Sequence, residues 1–211
     1  MPESTVQLIE TIRVDRGRSA PLLAGHWRRL QHSCIALDYV WPGDALMRAV
    51  EQHIGQLDAD TAYRLRLLLS KDGAYSIACD PLPATPHVVR LHISNDPLQA
   101  DRLWLQHKTT YRPWYDHVPS WLEQHPEYFD VVFCNHDDEV CEGSRSNIYV
   151  LDVDMGWLTP PLTSGLLPGV QRQALLDTAM VKEARITRQD LLGARAIRIS
   201  NALRGWLDAT L

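Results

Sequence analysis

Lys71, Lys108 and Lys182 are the only lysines among the 21 basic residues of this 211-residue chain, the other 18 being arginines. Chemistry that needs a side-chain amine therefore has three candidates. Lys71 stands in Ser70-Lys71-Asp72-Gly73, a hairpin-turn sequence, and reads as a solvated turn cation. Lys182 lies beside Glu183 and near Arg185, at an expected helix exit, and reads as a surface charge. Lys108 differs, because Leu103-Trp104-Leu105 precede it and Thr109, Thr110, Tyr111, Trp114 and Tyr115 follow. Desolvation lowers the pKa of an amine, and a neutral amine can form a Schiff base with a carbonyl. A snorkelling lysine whose stem covers apolar surface fits the same neighbours equally well.

A Schiff-base lysine serving pyridoxal phosphate needs an acidic partner at the ring nitrogen and a cradle for the phosphate. Glu142-Gly143-Ser144 lies just past a turn and shortly before an expected strand, which would put a carboxylate on a rigid element. A solvated strand-edge glutamate is the plainer reading. Gly165-Leu166-Leu167-Pro168-Gly169 leads into an expected helix, whose free N–H groups and dipole favour a phosphate dianion. An ordinary loop-to-helix junction has the same composition.

The elements that must position these groups follow from periodicity. Val6–Val14 is extended and ends at the Asp15-Arg16-Gly17 turn. Trp27, Leu30, Cys34 and Leu37 recur at helical spacing, and Pro42 opens a second helix carrying Leu46, Val50, Ile54 and Leu57. Tyr63–Ser70 and Ala74–Cys79 form a hairpin, and Val88–Ile93 is a further strand. A polar stretch at 95–101 marks a boundary, giving an N-terminal α/β subdomain at 1–97 and a C-terminal one at 98–211 that carries Lys108. In the second half, Tyr128–Cys134, Asn147–Leu151 and Ala196–Ser200 are strands, and Pro168–Met180 is a helix with Leu175, Leu176 and Ala179 inward. Intermingled strands and helices make the class α/β (α+β).

Six segments in order over nearly the whole chain resemble the class IV aminotransferases, the fold-type IV pyridoxal-phosphate enzymes. They are Leu8-Ile9-Glu10-Thr11-Ile12-Arg13, His26-Trp27-Arg28-Arg29-Leu30, His107-Lys108-Thr109-Thr110-Tyr111-Arg112, Glu142-Gly143-Ser144-Arg145-Ser146-Asn147-Ile148, Thr159-Pro160-Pro161 through Leu167-Pro168-Gly169-Val170-Gln171-Arg172, and Ser200-Asn201-Ala202-Leu203-Arg204-Gly205-Trp206. Within that family the wording is most similar to the 4-amino-4-deoxychorismate lyases. The resemblance implies the two-subdomain fold of the D-amino-acid aminotransferase-like enzymes and pyridoxal 5'-phosphate held covalently by Lys108. It implies that Glu142 meets the ring nitrogen and that Arg29, main-chain N–H groups of Val170 and Gln171, and the Asn201-Ala202 turn bind the phosphate. Asn147 joins the cofactor set, and either Tyr111 or Arg112 approaches the ring hydroxyl. Arg13, Arg112 and Arg204 are candidates for substrate carboxylates. Gln171, Ala202 and Cys141 stand where relatives often carry hydroxyl residues.

The activity so implied is release of 4-aminobenzoate and pyruvate from aminodeoxychorismate, in folate precursor synthesis. Two alternatives stand beside it: amino-group transfer on a D- or branched-chain amino acid, and a non-catalytic cofactor-binding relative. The resemblance further implies a homodimer taking a small-molecule amino substrate, with a functional link to an aminodeoxychorismate synthase.

Composition narrows the partners. Hydrophobic residues are 45%, charged residues 22%, and the net charge is −5, which argues against disorder and against nucleic acid or an anionic membrane as partner. No apolar run reaches membrane-spanning length, and Met1–Glu10 lacks the pattern of a secretory leader. Cys34, Cys79, Cys134 and Cys141 form no CxxC pair, as expected of reduced thiols in a cytoplasmic protein. The nine histidines show no metal-ligand spacing, so no metal is expected.

Overall fold

The computed structural model describes residues 6–211, so residues 1–5 of the leader reading lie outside the described residues. The chain divides into two compact units. The first comprises the residues up to Ala84 together with His107–Tyr111, and the second comprises Thr85–Gln106 and Arg112–Leu211. This differs from the expected boundary at 97/98. The polar stretch 95–101 lies within the second unit, and the segment carrying Lys108 belongs to the first. The reason is hydrogen bonding along strand β1 (Leu8–Val14): the Ile9 N–H donates to the Lys108 carbonyl at 2.8 Å, and the Thr110 N–H donates to the Gln7 carbonyl at 2.8 Å.

In the first unit, β1, β2 (Tyr63–Leu69) and β3 (Tyr75–Pro81) form an antiparallel sheet in that order. Along β2, Leu65, Leu67 and Leu69 are buried while Arg64 and Arg66 are exposed, the period of a strand with one covered face. The cover is α1 (Leu23–Leu37) and α2 (Asp44–Gln56), which bring Trp27, Leu30 and Cys34, and Leu46, Val50 and Ile54, onto Leu8, Ile12 and Val14 of β1. Each fully buried leucine contributes about 2 kcal/mol, before the entropy of ordering it. The turn between β2 and β3 has Gly73 at φ 89°, a conformation glycine adopts without strain, and the Asp72 carboxylate accepts the Ala74 N–H at 3.0 Å. Gly43, not Pro42, caps α2, so the proline precedes the helix instead of opening it.

The second unit is built on one eight-stranded sheet. Its strands are β4 (Val88–Ile93), β5 (Asp130–Cys134), β6 (Val140–Gly143), β7 (Asn147–Asp152), β8 (Gly156–Thr159), β9 (Val181–Glu183), β10 (Ile197–Asn201) and β11 (Gly205–Thr210). Their order is β6-β5-β4-β11-β10-β7-β8-β9. Short helices α3 (Arg102–Leu105), α4 (Val118–Gln124), α5 (Val170–Asp177) and α6 (Arg188–Leu192) accompany it. β5 is buried along its whole length because successive residues enter different cores. Val131 and Phe133 pack with Leu105, Tyr115 and Val118, whereas Val132 and Cys134 pack with Ile186 and Leu191. The expected mixed class holds. Helix α5 stops at Asp177, and Ala179 lies beyond it, exposed and at φ 54°, so it is not an inward helical residue. Lys182 is exposed on strand β9, not at a helix exit.

Among the described residues no helix is long and apolar enough to cross a membrane, and no group of three or more His, Cys, Asp or Glu is placed to hold a metal ion.

Candidate active site

The first unit anchors Lys108 and Arg29 on the same two elements. Alternation along β1 puts Glu10 on the face of Leu8, Ile12 and Val14, where it is 1% exposed. His26 and Arg29 are three residues apart on α1, hence on one flank, and both reach this carboxylate. Oε2 of Glu10 lies 2.6 Å from His26 Nδ1 and accepts from Arg29 Nη2 at 2.5 Å, while Oε1 accepts from Arg29 Nε at 2.9 Å. Burial alone would push the Glu10 carboxyl up. The Arg29 charge and the hydrogen bonds from His26 and Arg29 outweigh it and hold the group at about 2. One turn further along α1, Ser33 Oγ is 2.9 Å from Nδ1 of His107, the residue before Lys108. Burial, then the neighbouring His32, push the His107 imidazole down. Lys108 is thus held through its carbonyl by β1 and through its neighbour by α1, with its side chain half-buried.

Tyr111 is fixed by its main chain, which donates to Thr109 Oγ1 at 3.2 Å and accepts from the same hydroxyl at 3.0 Å. Arg13 is turned to Asp15, Nε to Oδ1 at 2.6 Å.

The second unit is organised around Glu142, 3% exposed on β6. Its Oε1 accepts the Tyr115 hydroxyl at 2.9 Å, and its Oε2 accepts the Leu167 N–H at 3.0 Å. Arg112 Nη2 is 3.7 Å from Oε1; the same guanidinium lies 4.6 Å above the Tyr115 ring and donates to the Ser144 carbonyl at 3.1 Å. Burial, and then the charge of Glu142, push the Tyr115 phenol well up, so it stays a hydrogen donor. Asn147 Nδ2 donates to the Leu167 carbonyl at 3.0 Å. Glu142 and Asn147 therefore grip both polar groups of residue 167, two residues before the Gly169 cap of α5. A side chain at Gly169 would not fit: its Cβ would fall 2.0 Å from Asn147 Oδ1.

The turn joining Glu142 to Asn147 is tied down by fully buried Asp130. This carboxylate accepts from Ser144 Oγ at 2.6 Å, Ser146 Oγ at 2.5 Å, the Val131 N–H at 2.8 Å and the Arg145 N–H at 3.3 Å. A Cβ at Gly143 would lie 2.3 Å from its Oδ2. In the sheet register Asn147 pairs with Ser200, which places the Asn201-Ala202 turn at the same end as Asn147. Asn201 Oδ1 accepts the Leu203 and Arg204 N–H groups at 3.1 and 2.8 Å, and its Nδ2 donates to the Arg145 carbonyl at 3.2 Å. Arg204 reaches the Thr85 hydroxyl at 3.1 Å. A cleft of about 640 Å³ is lined by Arg112, Tyr115, Ser144 and Arg145, together with Pro119 and Tyr128.

These residues fit the cofactor that the resemblance implies. A buried carboxylate fixed through both oxygens suits a protonated ring nitrogen. The start of α5 carries no side-chain cap, which leaves its first N–H groups for an anion, and the glycine before it is sterically required. In the second unit Glu142 and Asn147 meet at residue 167, three positions before Val170, with Arg112 3.7 Å from Glu142 and the Asn201-Ala202 turn at the same sheet end as Asn147. The first unit holds Arg29 and Lys108. Arg13 is paired with Asp15, and Arg204 reaches Thr85 from the Asn201 turn. Glu10, His26, Tyr115 and Asp130 were given no site role in the sequence reading; for Glu10 the signal available was polarity inside an apolar strand face, Leu8-Ile9-Glu10-Thr11-Ile12.

A model of the family described as amino-transferase class IV matches residues 7–211. A Schizosaccharomyces pombe protein bearing the provisional name aminodeoxychorismate lyase is 25% identical over 190 residues, covering 87% of this chain and 80% of its own. The crystal structure of a provisionally named amino-acid aminotransferase from Mesorhizobium loti is 31% identical with a TM-score of 0.88, covering 98% of this chain and 99% of that one. A provisionally named 4-amino-4-deoxychorismate lyase from Haemophilus somnus has the same fold at 20% identity and a TM-score of 0.74, over 95% and 98% of the two chains.

Proposed function

The chain belongs to the class IV aminotransferase family and is an enzyme of that family, and on this premise we propose that it is a pyridoxal-phosphate-dependent lyase converting 4-amino-4-deoxychorismate to 4-aminobenzoate and pyruvate. The observation that carries the cofactor part is Glu142, a buried carboxylate clamped by Tyr115 and the Leu167 N–H. The lyase part is supported by the name of the S. pombe relative and by the Lys108-Thr109-Thr110 and Asn201–Trp206 segments.

Bound pyridoxal phosphate supplies an electron sink for the charge left when a proton leaves the amine-bearing carbon. The chain's own residues do the rest. Lys108 Nζ would hold the cofactor and, as a free amine, would take the proton from that carbon. Glu142 keeps a proton on the ring nitrogen. Arg29, the Val170 and Gln171 N–H groups and the Asn201-Ala202 turn bind the phosphate. Tyr111 or Arg112 would approach the ring hydroxyl. Asn147 sets the loop that carries the phosphate donors. Arg13, Arg112 and Arg204 remain the candidates for the two substrate carboxylates.

The lyase reaction balances without a second substrate. One proton leaves the amine-bearing carbon, the carbon–oxygen bond to the enolpyruvyl group breaks, and the departing enolate takes one proton on its methylene carbon to become pyruvate. Aromatisation of the remaining ring drives it. The same reading makes the working form a cytoplasmic homodimer supplied by an aminodeoxychorismate synthase.

The test is release of pyruvate and 4-aminobenzoate in equal amounts from aminodeoxychorismate, with no oxo acid added. A strict oxo-acid requirement with no pyruvate formed selects the second reading, amino-group transfer on a D- or branched-chain amino acid; the name of the M. loti relative supports amino-group transfer without naming the substrate.

A further inference from the structure

Glu10 stands out as an expensive residue for its position. It occupies the core-facing register of β1 between Leu8 and Ile12, where an aliphatic side chain would pack without desolvating a charge. A buried ion pair is weak support for a fold, and the consequence of this one falls on Arg29. The Arg29 side chain is only 10% exposed, and the Glu10 pair occupies the guanidinium edge made by Nε and Nη2. His26 is 0% exposed, and because a carboxylate only accepts, its Nδ1 must carry the hydrogen of the 2.6 Å contact. Its Nε2 is buried with no hydrogen-bond partner among the described residues. The whole recognisable polar function of this imidazole is therefore to hold Glu10.

We propose that Glu10 and His26 form a positioning pair that fixes the guanidinium of Arg29 in the orientation that receives the cofactor's phosphate. This rests on the reading that Arg29 binds that phosphate. Two opposed effects attend the pair. The Glu10 charge offsets part of the pull of Arg29 on an anion, while its two hydrogen bonds remove the rotamer freedom that an unrestrained arginine loses on binding. Bidentate phosphate recognition is steeply dependent on angle, and orientation is the effect that wins. His26 acts one step further out, since it locks the carboxylate that locks Arg29.

The experiment measures dissociation constants of the apoprotein for pyridoxal phosphate and for pyridoxal, which lacks the phosphate. Their ratio isolates the phosphate's share of binding from general loss of structure. Glu10→Gln should weaken pyridoxal phosphate by about tenfold and leave pyridoxal within about twofold, a loss of one charge-assisted hydrogen bond's worth of selectivity. His26→Gln, which withdraws the donor from the Nδ1 position, should show a smaller loss of the same kind, and His26→Asn, which can restore a donor there, should recover it. Equal weakening of both ligands makes the pair merely structural and overturns the proposal. Tighter binding of pyridoxal phosphate by Glu10→Gln makes Glu10 an attenuator of charge and overturns it too. Arg29→Gln separates the underlying reading: if it abolishes the phosphate preference while Glu10→Gln keeps it, Arg29 binds phosphate without a positioning pair. If Arg29→Gln keeps the preference, both statements fall. Should Glu10→Gln not fold, the two His26 variants decide alone.

Discussion

Tyr115 touches Glu142 through a single hydrogen bond, yet its ring is held independently by Phe133 at 5.1 Å between centroids and by the Arg112 guanidinium at 4.6 Å. Tyr115→Phe should therefore keep the packing and remove only the hydroxyl. The Leu167 N–H would still hold one oxygen of Glu142, and the other would lose its hydroxyl donor while Arg112 Nη2 stays 3.7 Å from it. We expect a stability loss of about 1–2 kcal/mol, together with a fall in kcat of about tenfold and a changed absorbance of the bound cofactor. Chemical denaturation, steady-state kinetics and a spectrum of the loaded protein check the three parts; unchanged kcat and spectrum would remove Tyr115 from the site. By residue type alone the plainer readings of Lys108 and Glu142 stood equally well or better. Lys108, Arg29 and Glu142 were legible in the sequence as candidates because they stand in motifs whose order could be matched. Tyr115 was not, since its partner lies 27 positions away. Nor was the Glu10 pairing with His26 and Arg29, at separations of 16 and 19.

Elements position these groups through places where no side chain fits. At Gly169 a methyl group would meet Asn147 Oδ1 at 2.0 Å, so Gly169→Ala must either displace the loop before α5 or break the Asn147 hold on Leu167. The expected cost is about 1–3 kcal/mol in stability, with a loss of affinity for pyridoxal phosphate of about tenfold that pyridoxal does not share. Equilibrium denaturation and the same pair of ligands measure it, and wild-type behaviour in both would show that the loop has slack. The local pattern made α1, the hairpin of β2 and β3, and β4 readable, because each carries its own period and its own turn residues. Strands β6, β8 and β9 were not readable, having only four, four and three residues. Such segments are too short to show alternation and become strands only by pairing with neighbours already in the sheet. Glu142 was thus expected beside a strand and stands on one.

At the scale of the whole molecule, the division at Ala84 and the return of His107–Tyr111 to β1 were beyond a reading of composition, because a chain leaving one unit and revisiting it leaves no trace in residue type. The same buried groups give the molecule a bounded pH range. Glu10 titrates at about 2 in the fold against an ordinary 4.5, so its contribution is present above 4.5 and is lost as pH falls toward 2. Cys34 and Cys134, buried and raised from 9.0 to about 11, favour the fold below 9 and lose that contribution as pH rises toward 11. Thermal unfolding across pH should show a plateau between these limits, with Glu10→Gln flattening the acid limb; an acid limb unaltered in that variant would place its cause elsewhere.

The central claim is that Lys108, alone of three lysines, carries the cofactor. The direct measurement is borohydride reduction of the pyridoxal-phosphate-loaded protein followed by peptide mapping. One modified peptide is expected, containing Lys108, retained in Lys71→Ala and Lys182→Ala and absent in Lys108→Ala. A reduced adduct on either other lysine, or none on the loaded wild-type protein, would contradict it.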